Sequence, residues 1–361
     1  MDIININDNS NKLFYIGGVV RDELLGRQSF DVDITYVGNA IEYCARFGEV
    51  IQENPDFGTI RVNVDGKEVD FASTRAETYP HKGHLPVVTE IGCPLKDDII
   101  RRDFTVNALA KSVTTGEIVD YTGGLEDLKN KKLRVLHDES FIDDPTRIIR
   151  GLKFSVRFGF ELDEHTRNLQ ENYLANINYD MSYKRVKKEL IETFNLNSQK
   201  AFEKFINEKI YKLVTEKDVE LPKINIENLV KDYGAERIWL VYAGVIGDLS
   251  RLPLTKIEQK ILDDIPAKKH DNDFELYKAF ENSSIETVLL YAILRDEAGA
   301  RHYLDDLRNI KIEITGKDLQ AKGIKPSPKY AEIFDEVLKA KLKNPQMTKE
   351  DEFKVAHLKN F

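Results

Sequence analysis

Cysteine is nearly absent from this chain: Cys44 and Cys93 are the only two in 361 residues. Two thiols cannot build a disulfide framework or a four-ligand zinc site, and a reducing cytoplasm suits them. Long hydrophobic runs are missing too. No stretch approaches the roughly 18 apolar residues of a membrane span. The opening "MDIININDNSNK" is polar and acidic, without the basic and apolar segments of a signal peptide. Neither a low-complexity tract nor a repeat of about 20–50 residues is present. These absences predict a cytoplasmic protein with no membrane partner.

What is there is globular. Apolar residues make up 41% and charged residues 32%, a profile that excludes intrinsic disorder. The length is too great for one ordinary core and predicts about two to four domains. The formal net charge of -9 argues against a generic polyanion binder. Basic residues nevertheless cluster in "KNKKLR" (129–134), in "YKRVKKEL" (183–190) and through 317–343. Such stripes are either solvated helix faces or phosphate-binding surfaces.

Residues 13 to about 125 read as α/β. "LFYI" is a strand running into Gly-Gly, and "VVRDELLG" is a helix stopped by Gly26. "DVDITYV" alternates like a strand. "NAIEYCARFG" is a helix with Asn39 as its N-cap and Gly48 as its stop. "GTIRVNVDGKEVDFAST" is a hairpin turning at Asp65-Gly66. "RAETYPHKGHLPVVTEIGCP" reads as a long loop. "IRRDFTVNALAKS" reads as helical, and "GEIVDYTGGLEDL" as a strand, a Gly-Gly turn and a helix start. From about residue 140 glycine thins out and helical periodicity takes over to the end.

Asp31 and Asp33 sit two apart on one expected strand, so both carboxylates point to the same face. They are either exposed strand acids or ligands of a divalent metal such as Mg²⁺. Asp70 stands between Val69 and Phe71, where burial without a partner would cost several kcal/mol, on the order of the transfer penalty for a polar group. Three carboxylates on neighbouring strands suit two-metal phosphoryl transfer. Upstream, Gly17-Gly18 before a helix offers backbone N–H groups to phosphate, and Arg21 adds a charged clamp.

The stretches "GGVVRDELLG…DVDI", "RRDFTVNALA", "DYTGGLEDL" and "DDPTRIIRGLKFSVRFGF" resemble the successive motifs of class II tRNA nucleotidyltransferases. That family includes CCA-adding enzymes and bacterial poly(A) polymerases. "ITGKDLQAKGIKPSPKYAEIF" is similar to its C-terminal motif. The resemblance spans nearly the whole chain. It implies an α+β fold: a polymerase-β-like nucleotidyltransferase head at 1–136, then an all-α neck at 137–195, body at 196–265 and tail at 266–361. It implies Asp31 and Asp33 as metal ligands, Asp70 as the third catalytic acid, and Gly17, Gly18 and Arg21 at the nucleotide. Arg102 matches the nucleotide-contacting arginine of "RRDFTVNAL", with Asp103 and Asn107 shaping the pocket. The segment around "AETYPHKGHLP" resembles the family's flexible loop, needed to switch from C to A.

"DDPTRIIRGLKF" carries a selection rule. Asp144 and Arg147, three apart, share an expected helix face. As an exposed ion pair they would contribute under about 1 kcal/mol. As a base reader they need only hydrogen-bond polarity, since a carboxylate accepts and a guanidinium donates. Cytosine and adenine both show an amino donor beside a ring-nitrogen acceptor. Uracil and guanine show the reverse, and would leave desolvated groups unpaired. The resemblance assigns Asp144 and Arg147 as this protein template, followed by Arg150 and Lys153. Lys153 stands where the family usually has arginine, and Asp143 where glutamate is common.

The function implied is template-independent addition of C, C and A to a tRNA 3′ end from CTP and ATP, with Mg²⁺. An A-adding half of a split system and a poly(A) polymerase are the alternatives within the enzyme class. A non-catalytic RNA-binding module is opposed by the set Asp31, Asp33 and Asp70. A metal-dependent phosphohydrolase is opposed by the His-Asp pair His270-Asp271, which lacks other histidines at sensible spacing.

Overall fold

The alternation in "TIRVNV" and "KEVDFAS" resolves into two strands of one mixed sheet. The computed structural model describes residue 6 and residues 8–29, 32–323, 325 and 328–358. Two compact units emerge: Met1–Thr193 with Lys200–Asp218, and Phe194–Gln199 with Val219–Phe361.

The first unit is built on β1 (Leu13–Ile16), β2 (Asp33–Tyr36), β3 (Glu49–Asn54), β4 (Thr59–Val64), β5 (Lys67–Ser73), β6 (Arg75–Thr78), β7 (Val87–Ile91), β8 (Ala110–Ser112) and β9 (Ile118–Val119). Seven of these form a sheet in the order β3-β4-β5-β2-β1-β8-β9. Ile60, Val62, Val64, Val69 and Phe71 are buried on one face of β4 and β5. The alternate residues, Arg61 and Asp70 among them, occupy the other face, as period-two geometry requires. Asp65 (φ 50°) and Gly66 (φ 84°) turn the hairpin, the two positive φ values a type I′ turn needs.

Two short helices follow their expected signals. Helix α1 (Gly18–Leu24) leaves the Gly17 turn. Helix α2 (Ala40–Cys44) is capped by the Asn39 side chain, which accepts from the N–H groups of Ile41 and Glu42. Cys44 and Cys93 are both free and buried.

Three readings are corrected. "RRDFTVNALA" is not helical. Helix α3 (Leu95–Ile100) stops before it, and the segment passes through a single turn at Thr105–Asn107 into β8. The Asp103 carboxylate accepts from the N–H of Phe104 at 2.8 Å and from the Asn107 side chain at 3.0 Å. Such local bonds compete with a helix. The long loop is instead the β6–β7 hairpin, because the β-branched run 87–91 pairs while Pro80, Gly83 and Pro86 stay in the tip. The region beyond 140 is not purely helical: β10 (Lys132–Leu133) pairs with β11 (Glu161–Leu162).

Helices α4 (Gly124–Lys129), α5 (Ser140–Asp143), α6 (Thr146–Phe158), α7 (Glu164–Ala175) and α8 (Tyr183–Phe194) continue the chain. Every regular element among the described residues of the second unit is a helix, from Ile226–Tyr233 to Lys349–Leu358. Tyr242, Leu240, Leu289 and Tyr291 are fully buried there. Ile314, Leu319, Ile333, Val337 and Ala356 form a smaller apolar cluster toward its end. No helix among the described residues is long and apolar enough to cross a membrane.

Candidate active site

Asp33 opens β2 and lies opposite Asp70 of β5 in parallel register. Paired residues of parallel strands point to the same face, and both acids line a cavity of about 460 Å³. Asp70 is not the isolated buried acid its neighbours suggested. Its side chain is 44% exposed, and Arg61 grips it with Nε at 2.6 Å and Nη2 at 2.8 Å. Asp31 lies outside the described residues. Among the described residues no three of His, Cys, Asp and Glu come together as a metal set. Asp33 and Asp70 are nonetheless hard oxygen donors on one face of one cavity, a set that fits Mg²⁺.

Arginines line the same cavity: Arg61, Arg75, Arg101 and Arg102. Two buried acids hold three of them. Asp98 accepts from Arg101 at 2.7 Å, from Arg102 at 3.1 Å and from the N–H of Arg75 at 3.1 Å. Glu77 accepts from Arg75 Nε at 2.6 Å and lies 3.1 Å from Arg101 Nη1. Burial opposes the Asp98 charge, but Arg102 and Arg101 outweigh it and hold the carboxyl below its ordinary range. Sequence reasoning missed Arg75, Arg101, Glu77 and Asp98, which become neighbours only through the sheet. Arg102 Nε is buried and finds no hydrogen-bond partner among the described residues. Its Nη1 would stand 3.2 Å from a Cβ on Gly17, whose φ is +73°, so glycine there serves both the turn and the close approach.

Arg21 is a buried strut rather than an open clamp, at 5% exposure. Its Nη1 donates to Asn107 Oδ1 at 2.5 Å, and its guanidinium lies 4.3 Å from the centre of the Phe158 ring. Nη2 comes within 3.5 Å of a Cβ placed on Gly18. Asn107 in turn donates to Asp103, whose Oδ2 accepts from Arg150 Nε at 2.9 Å and Nη2 at 2.7 Å. Lys153 faces away toward α8, bonded to Glu189 at 2.9 Å and to Glu192 at 2.5 Å. Arg150 also reaches Glu189, at 3.3 Å. A single polar chain thus links Arg21, Asn107, Asp103, Arg150, Glu189 and Lys153.

Asp144 and Arg147 do not form an exposed ion pair. Asp144 precedes α6, and both are buried, at 5% and 4% exposure. Asp144 Oδ1 accepts from the N–H and hydroxyl of Thr146, while Oδ2 accepts from Arg185 at 2.5 Å and stands 3.9 Å from Arg147 Nε. Arg147 donates to the Ser140 hydroxyl, the Tyr79 hydroxyl and the Arg101 carbonyl. The hairpin tip docks beside them. The Gly83 N–H donates to the Asp143 carbonyl, and the Gly83 carbonyl accepts from Ser182, each at 3.0 Å. Gly83 sits at φ +81°, and a Cβ there would stand 2.8 Å from the Asp180 carbonyl oxygen.

Residues 13–134 match the poly A polymerase head domain family. An A-adding tRNA nucleotidyltransferase of Geobacter sulfurreducens is 32% identical over 95% of this chain, which spans 44% of that protein's length. One from Aquifex aeolicus is 46% identical over 44% of this chain and 20% of its own length. The fold matches a Thermotoga maritima CCA-adding enzyme complexed with tRNA at a TM-score of 0.76, with 26% identity, over 97% of this chain and 92% of that one. Over nearly its whole length the chain is similar to A-adding and CCA-adding tRNA nucleotidyltransferases. Its first unit accordingly carries the nucleotidyltransferase head, and helical regions follow.

One consequence of the buried network concerns pH. Burial alone would raise the Asp103 carboxyl, but the Arg150 charge and the Asn107 and Arg150 hydrogen bonds bring it down from 3.8 to about 2. A carboxyl depressed in the folded state stabilises the fold above its unfolded pKa, and that contribution is lost as pH falls through the folded value. The first unit should therefore lose stability between about pH 4 and pH 2. Asp103→Asn should be less stable near neutrality and should lose less across that window. Urea midpoints measured against pH check this; parallel curves for the two proteins would remove Asp103 from the effect.

Proposed function

We propose that this chain is a metal-dependent nucleotidyltransferase that extends a tRNA 3′ end with C, C and A from CTP and ATP without a nucleic-acid template. The observation that carries this reading is one cavity with paired carboxylates, Asp33 and Asp70, and an arginine cluster on its walls. Asp33 and Asp70, together with Asp31, would hold Mg²⁺, which supplies activation of the 3′-hydroxyl and neutralisation of the leaving pyrophosphate.

The remaining roles belong to side chains. Arg102, with its unsatisfied buried Nε, binds the triphosphate beside the Gly17-Gly18 turn. Arg21, Asn107, Asp103 and Arg150 hold that wall rigid. Asp144 and Arg147 present acceptor and donor to the base. Their present bonds to Arg185 and Tyr79 must be exchanged for the base edge, and the docked hairpin tip is the element able to drive that exchange. Helical neck, body and tail, divided near 136, 195 and 265, would track the tRNA backbone by shape. Buried free thiols at Cys44 and Cys93 suit a cytoplasmic setting.

A second reading, addition of the A alone, is favoured by the A-adding relatives from Geobacter and Aquifex. Purified protein should be given tRNAs ending before CCA, after C and after CC, with CTP and ATP supplied separately. Extension of all three supports the first reading. Extension only of the CC-ended tRNA by ATP establishes the second. No incorporation on any would overturn both.

The hairpin gives a further expectation. Removing tip residues 80–85 should leave C addition intact and stop synthesis at CC. Normal A addition by that variant would take the hairpin out of the mechanism.

A further inference from the structure

Arg61 has no counterpart in the roles above, yet it holds both carboxylate oxygens of Asp70. It lies on β4 directly across from Asp70 in antiparallel register. Its Nε and Nη2 form a two-pronged grip at 2.6 and 2.8 Å, the strong arrangement for a guanidinium and a carboxylate. A second acid is within its reach. Glu68 lies two residues before Asp70 on β5, hence on the same face, and its Oε2 is 3.6 Å from Arg61 Nη1. All three side chains are substantially exposed, at 42% for Arg61, 44% for Asp70 and 64% for Glu68.

We propose that Arg61 is an exchangeable counter-ion of the catalytic carboxylates: it occupies Asp70 while the metal position is empty and moves to Glu68 when a divalent cation arrives. This rests on the reading of Asp33 and Asp70 as metal ligands. The physical reason is charge. Asp33 and Asp70 are adjacent same-face acids, and without a cation they repel. Arg61 relieves that repulsion. A cation that takes Asp70 meets the Arg61 charge in its place, and the two compete. Glu68 gives the displaced guanidinium a new partner one step along the same strand, so neither acid nor arginine is left unpaired at either stage. Arg61 is thus a positioning residue that sets metal affinity without touching the reacting atoms.

Mn²⁺ binding followed by electron paramagnetic resonance, with no nucleotide or RNA present, tests this apart from catalysis. Arg61→Gln should tighten Mn²⁺ binding about three- to tenfold, the scale of losing one partly screened competing charge. Glu68→Gln should weaken it about twofold, and that effect should vanish in the double variant, because Glu68 acts through Arg61. Circular dichroism on these surface variants verifies that the fold is kept. Binding that Asp33→Asn abolishes but Arg61→Gln leaves unchanged or weakens would overturn the Arg61 proposal and leave the metal reading standing. A Glu68→Gln effect of equal size in both backgrounds would also overturn it. Absence of Mn²⁺ binding in the wild-type chain would overturn the metal reading and this proposal together.

Discussion

Asp33→Ala should lower nucleotide incorporation by at least about a thousandfold while tRNA affinity stays at the wild-type level. A divalent cation supplies several kcal/mol of charge stabilisation to the phosphoryl-transfer transition state, and each ~1.4 kcal/mol is tenfold in rate. Asp33 is exposed at the first position of β2 and contributes nothing to the core, which on that strand is Ile34, Thr35 and Tyr36. Its loss therefore acts on chemistry and not on folding. Asp33→Asn should fail equally, because an amide keeps the shape but forfeits the charge that binds a hard cation. Asp31→Ala should behave alike if the two acids share the ion. Single-turnover incorporation of ATP on a CC-ended tRNA, beside a tRNA-binding titration, separates the two effects. Incorporation near the wild-type rate in any of these variants would sink the assignment.

Altering Asp144 or Arg147 should change which base is added more than how fast it is added. On the proposed reading, Asp144→Ala removes the acceptor that would meet the amino group of C or A. It also removes the repulsion against the carbonyl of U or G, so discrimination relaxes. Each lost charged hydrogen bond should cost about 1.5–3 kcal/mol with the correct nucleotide. UTP and GTP should gain relative to CTP and ATP. Arg147→Ala should weaken both correct bases together, since on the same reading it would meet a ring acceptor in each. Burial of both residues adds a structural cost: Asp144→Ala strips Thr146 and Arg185 of a partner. Asp144→Asn keeps the acceptor for Thr146 and serves as the folded control. The measurement is the ratio of kcat/KM for CTP over UTP and for ATP over GTP. Wild-type ratios in all three variants would mean that the pair only ties α6 to the preceding turn.

The legible parts of the site were those written in adjacent residues. The Gly17-Gly18 turn, the Arg102-Asp103-Asn107 set and the order of Asp144, Arg147 and Arg150 all lie within short stretches. Their surroundings were less legible. Asp103 is a buried hub because Asn107 and Arg150 converge on it, and nothing in its own stretch shows that Arg150 will reach it. The hairpin at 75–91 was hidden because Pro80, Gly83 and Pro86 weigh against strand over the whole segment, although they fall only in its tip.

By itself the sequence determined the features whose causes are local. Positive φ at Asp65-Gly66, the Asn39 cap, the alternation of β4 and β5 and the helical periodicity beyond residue 140 need no distant partner. Tertiary structure alone decided the features made of distant pairs. Asp33 meets Asp70 through the parallel register of β2 and β5. Arg75 meets Asp98 and Arg101 meets Glu77 because β6 and α3 pack together. Asp144 meets Arg185 across 41 positions. A charge in a sequence carries no mark of which opposite charge will neutralise it. That choice follows from which strands pair and which helices pack, and those are settled by burial of the apolar faces on the other side of the same elements.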